Sequence, residues 1–184
     1  MCQRQRAAGS VRPSISAQMV REMDTVKPPL DHETFLRHAF AVAQRARSHG
    51  NHPFGAILVS GAGDILLEAE NGYLPDRDMT GHAERLLATA ASKQFDVKFL
   101  ADCTLYSSAE PCCMCAGAAY WAGIGRVVYG LSERRLKVII GNHAENPTLD
   151  LPCRSVFAAG QRPVEVIGPL LEDEAAALHA GAWD

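Results

Sequence analysis

The segment "AEPCCMCAG" puts three cysteines within four positions directly after Pro111, while Cys2, Cys103 and Cys153 are scattered far from it. Cys112 and Cys115 are three residues apart, so at the start of a helix their sulfurs project to one side. Pro111 suits the first turn of such a helix, where its missing amide proton costs nothing. A helix N-terminus favours the thiolate, which is the form that reacts or binds metal. A redox pair needs only these two thiols, whereas a zinc site needs at least one further nitrogen or sulfur ligand.

That ligand is available in "TGHAERLL", which places His82 at the start of another predicted helix with Glu84 two residues later. Positions i and i+2 do not share a helix face, so both side chains can serve one site only where the helix begins beside a cavity. His32, His38, His49, His52, His143 and His179 have no such company and are read as ordinary surface or core residues. One imidazole and two thiolates make three ligands, one fewer than a closed structural zinc site requires, so a coordination position stays open. Two thiolates also balance the charge of Zn²⁺, which acidifies a bound water from a pKa of roughly 16 towards ~7. Glu84 is then placed to take the proton of that water and deliver it to the atoms of a substrate.

These side chains need elements to hold them. "DHETFLRHAFAVAQRARSHG" reads as an amphipathic helix capped by Asp31 and ended by Gly50, with Phe35, Leu36, Ala39, Phe40 and Ala43 at helical spacing. "PFGAILVS" and "DILLEAEN" flank the turn-forming "GAG" and read as an antiparallel hairpin. "CTLYSS", "RVVYGL" and "PVEVIG" read as further buried strands, separated by the helical "HAERLLATAASKQF" and "CCMCAGAAYWAGI". Alternating strands and helices predict an α/β fold, a three-layer α/β/α sandwich on a mixed sheet of about five strands.

Composition bounds the rest. A chain of 184 residues fits one domain. A net charge of −3 with 47% apolar residues describes a globular protein with little attraction for phosphate backbones. No apolar run approaches the ~20 residues that cross a bilayer, and no secretory signal pattern is present, so a reduced, cytoplasmic setting is expected. Residues 1–27 contrast with the rest: up to Arg21 they carry four arginines and no acid, and they read as a disordered N-terminal extension before a single domain at 28–184.

The pairing of H-x-E with P-C-x-x-C resembles the signature of zinc deaminases. From about Phe35 to Gly130 the chain is similar to the cytidine deaminase-like superfamily, in the branch of guanine deaminases and tRNA adenosine deaminases. The resemblance implies one zinc per chain held by His82, Cys112 and Cys115, proton transfer by Glu84, and a homodimer built near the zinc helices. It also implies substrate contacts from Asn71, from Phe54 as a stacking aromatic, from Trp121, and from the backbone amide of Ala83. Glu145 falls near a second assisting carboxylate of guanine deaminases, with Glu133 as its rival. Cys113 and Met114 read as packing residues and Glu110 as support for a helix N-terminus, while Trp183 either covers a pocket or anchors the last helix. The implied reaction is hydrolysis of a free nucleobase, guanine to xanthine with loss of ammonia. Deamination of a tRNA adenosine, of cytosine, of guanosine or of a pterin or triazine is the alternative, and a non-enzymatic zinc module is disfavoured by the intact Glu84. Against the tRNA substrate stand the acidic balance and the lack of a basic C-terminal stripe.

Overall fold

A computed structural model describes residues 29–141, 143 and 148–183. The leader to residue 28 and Glu145 lie outside the described residues.

Helix α1, His32–Ser48, starts where the Asp31 carboxylate accepts from the Thr34 amide at 3.2 Å, and it buries Leu36, Ala39, Phe40, Val42, Ala43 and Ala46 along one stripe. The hairpin follows as β1, Gly55–Val59, and β2, Ile65–Glu70. Gly55 fixes how closely α1 lies on the sheet, because a Cβ there would stand 2.4 Å from the Ala43 nitrogen and 2.7 Å from the Ala39 carbonyl oxygen. Next come α2, Ala83–Gln94, the short α3, Val97–Ala101, and strand β3, Thr104–Ala109. Helix α4, Cys113–Ala122, leads through Gly123 in a left-handed conformation to β4, Arg126–Leu131. The chain closes with α5, Glu133–Ile140, α6, Cys153–Ala158, β5, Glu165–Ile167, and α7, Glu172–Ala177.

The five strands form one mixed sheet in the order β2-β1-β3-β4-β5. β1 runs antiparallel to both β2 and β3, and β3, β4 and β5 run parallel. Alternate residues feed opposite faces, as the pleat requires. Ala56, Leu58, Leu105, Val127 and Tyr129 pack with residues of α2, α4 and α6, while Ile57, Val59, Tyr106 and Val128 pack with α1, α5 and α7. The expected three-layer sandwich on a five-stranded sheet is therefore what the chain forms. At the sheet edge, Glu68 and Glu70 of β2 pair with His38 and Arg45 of α1 and with His49 just after it, which agrees with a surface reading for those two histidines. Among the described residues no helix is long and apolar enough to cross a membrane.

Candidate active site

The site is assembled from two helix starts on the same face of the sheet. His82 is the residue that caps α2, with an extended backbone (φ −66°, ψ 142°), so its ring swings clear of the helix while Glu84 sits in the first turn. Both can then address one place despite their i, i+2 spacing. Cys112 caps α4 and Cys115 lies one turn in, fully buried. Pro111 accordingly stands one residue before the cap, a small correction to its expected place in the first turn.

His82 Nδ1 lies 3.6 Å from the Cys112 sulfur and 3.6 Å from the Cys115 sulfur, and all three atoms fall within 4.8 Å of one another. Tetrahedral zinc with Zn–S ~2.3 Å and Zn–N ~2.0 Å places its ligand atoms about 3.5–3.8 Å apart, so the donor set fits that ion in both chemistry and spacing. The electrostatics agree. A hydrogen bond from Cys115 and another from His82 hold the Cys112 thiol down to about 4, and the same contact, with burial, pushes Cys115 well up. The hydrogen bond to Cys112 raises His82. A dication held by these three residues would favour the thiolate form of both cysteines.

Glu84 is 5% exposed, and burial raises its pKa. Ser107 of β3 donates its hydroxyl to Glu84 Oε1 at 3.1 Å, which leaves Oε2 as the oxygen able to carry a proton. Ala83, fully buried, is the first residue of α2, where its amide has no acceptor within the helix.

An open-mouthed cavity lies beside His82. Phe54 and Asn71 line it, so these two expected substrate residues are brought together with a metal ligand. His52, Tyr73, Asp78 and Met79 complete the wall, and none of them stood out in the sequence. Asp78 is already engaged, by Thr80 at 2.7 Å and by Arg85 at 2.8 Å. Trp121 is not brought to this cavity. It is 84% exposed, beside Ala88, Thr89 and Ser92 on the outer surface of α2 and α4. Six positions beyond Cys115 is about 240° around a helix, so the two side chains point in different directions.

The remaining carboxylates differ in kind. Glu110 accepts from the amides of Glu133 at 3.1 Å and Cys153 at 2.9 Å, so it anchors the starts of α5 and α6 rather than that of α4. Glu133 is 5% exposed, and burial together with the nearby Cys112 thiolate pushes its carboxyl up to about 8.

Nitrogen and sulfur donors at tetrahedral spacing, next to a buried carboxylate at the C-terminal ends of parallel strands, are the equipment of a zinc-dependent hydrolase. The chain belongs to the family of the cytidine and deoxycytidylate deaminase zinc-binding region, which it matches over residues 29–131. It is a hydrolytic deaminase of the nucleobase and nucleoside type. It is 42% identical over 151 residues to a probable cytosine deaminase of Schizosaccharomyces pombe, covering 82% of this chain and 91% of that one. A guanine deaminase of Bacillus subtilis is 42% identical over 101 residues, 54% of this chain and 64% of its own. In fold it is similar to the crystallised guanine deaminase from Nitrosomonas europaea, with a TM-score of 0.69 at 22% identity over 96% of this chain and 98% of that one. Similarity extends to tRNA-specific adenosine deaminases.

Proposed function

We propose that the protein hydrolyses the exocyclic amine of a free nucleobase, converting guanine and water to xanthine and ammonia. The observation that carries this reading is the single cavity that gathers Phe54, Asn71 and His82. A zinc ion held by His82, Cys112 and Cys115 would supply Lewis acidity there and make water a better nucleophile at neutral pH. Phe54 offers a ring face for stacking on a flat heterocycle. Asn71, 5% exposed, accepts the Tyr73 amide on its Oδ1 at 3.1 Å, so its Nδ2 hydrogens are directed to acceptors on the base. Glu84 receives a proton at Oε2 as the water attacks the amine-bearing carbon, and returns it first to the ring nitrogen and then to the leaving amine. The described lining includes no lysine or arginine, which suits an unphosphorylated substrate. Glu133, buried beside these charges, is a second carboxylate able to assist, while its rival Glu145 lies outside the described residues.

The long match to the Schizosaccharomyces pombe protein favours a second reading, cytosine to uracil, on the same machinery. Ammonia release from guanine, cytosine, adenine and a tRNA anticodon stem-loop decides between them. Guanine is expected to be turned over at least tenfold faster than the others, and preference for cytosine or the stem-loop would overturn the first reading. Asn71→Ala is expected to lower kcat/KM for guanine about 100-fold, because edge atoms left unpaired on binding are costly. Phe54→Leu should be milder, at about 1 kcal/mol or fivefold in KM.

The working form in this reading is a cytoplasmic homodimer. Trp121, almost fully exposed among small residues of α2 and α4, is the kind of aromatic that interfaces cover. Light scattering at micromolar concentration should give twice the chain mass, and Trp121→Ala should shift it towards the monomer. A wild-type monomer would remove this part of the proposal.

A further inference from the structure

The C-terminal residues lie against the cavity wall from outside. The Trp183 ring centroid is 4.8 Å from that of His52 and 6.1 Å from that of Phe54, both of which line the cavity. His179, 2% exposed, packs beside Trp183 on Phe54, with its ring centroid 5.2 Å from that of Phe54, and lies nearly parallel to the indole of Trp183, at 11°. Trp183 Nε1 donates to His179 Nδ1 at 3.2 Å. An indole can only donate, so Nδ1 carries no proton and the neutral ring holds its hydrogen on Nε2. Burial, with Arg47 and His52 nearby, pushes this imidazole down to about 4, which keeps it neutral. Among the described residues its buried Nε2 has no hydrogen-bond partner. Arg47 of α1 holds the same segment by donating to the carbonyls of Leu178 at 3.2 Å and Gly181 at 3.1 Å.

An apolar side chain at 179 could fill the same space but could not accept the Trp183 indole N–H, so packing alone does not call for histidine here. We propose that His179 is a positioning residue: through its hydrogen bond to Trp183 it fixes the indole against Phe54 and His52, and so sets the stacking wall that receives the base. The inference rests on the cavity being the substrate site. His179 touches Phe54 directly and reaches His52 through Trp183, with no contact to the reacting atoms. The consequence is selective. A loosened wall weakens capture of the base but leaves Glu84 and the metal ligands where they are, so KM rises and kcat holds.

The variants that isolate the bond are His179→Phe, which keeps a ring and removes the acceptor, His179→Asn, whose amide oxygen can replace Nδ1, and Trp183→Phe, which keeps a ring and removes the donor. They are compared on whichever base the wild type deaminates fastest, so a wrong substrate assignment does not obscure the result. His179→Phe and Trp183→Phe are each expected to raise KM about tenfold with kcat within twofold, the double variant should be no worse than either single one, and His179→Asn should recover most of the loss. Independently of activity, the two tryptophans of the chain give two indole N–H resonances. One of them should move upfield in His179→Phe and return in His179→Asn. Additive losses in the double variant, an equal fall in kcat, or an indole resonance indifferent to residue 179 would each overturn the proposal.

Discussion

Glu84→Gln is expected to abolish all but ~10⁻²–10⁻⁴ of turnover while the protein keeps its zinc and its fold. The amide oxygen can still accept from Ser107, so the 3.1 Å contact that orients the side chain survives, and only the capacity to take up and return a proton is lost. Stability should move the other way. Burial raises the pKa of Glu84, meaning that the charged form is held at a cost in the folded protein. A neutral isostere avoids that cost, and Glu84→Gln should melt at or above the wild-type temperature. Ammonia release, zinc content by mass spectrometry and a thermal melt on the same preparation separate the two effects. Turnover close to wild type would end the proton-transfer role, and loss of zinc would mean that Glu84 belongs to the metal site instead.

Long elements with a clear period were legible in the sequence, and α1 with its Asp31 cap and the five strands appear where periodicity and turn residues placed them. The short helices were not. α6 and α7 span six residues each, too few to show a repeat, and α5 begins at a Ser132 cap whose downstream pattern, Leu136 and Ile140, is only one turn long. The three metal-ligand candidates could be read because their spacing carries chemistry: a cap residue and its i+3 neighbour face one point whatever the rest of the fold does. Pocket walls have no such signature. His52, Tyr73, Asp78 and Met79 come from loops, where no period announces which side chain turns inward. Trp121 shows the converse, since its helix was correctly anticipated but the side it occupies depends on how α4 lies against α2, which a single helix does not encode. Glu110 was recognised as an anchor, but its partners, the amides of residues 133 and 153, are brought to it only by tertiary structure.

Removing one thiol is the second large effect. Cys115→Ala should leave the purified protein with less than about a tenth of a zinc per chain, because His82 and Cys112 alone are two ligands and the site holds no fourth protein donor among the described residues. The structural consequence follows from where the ligands sit. His82 caps α2 and Cys112 caps α4, so the ion ties together two helices that otherwise meet through small side chains such as Ala88, Ala91, Ala116 and Ala119. A ligand that binds only the folded state contributes RT ln(1 + [L]/Kd), about 4 kcal/mol at a thousandfold excess over Kd, and this is what Cys115→Ala forfeits beyond the loss of one sulfur atom. Chelation supplies the control. EDTA should lower the melting temperature of the wild type towards that of Cys115→Ala and should leave the variant unchanged. If the chelator destabilises both equally, the metal is bound elsewhere, and if it affects neither, the three donors are a buried polar cluster with no ion to hold.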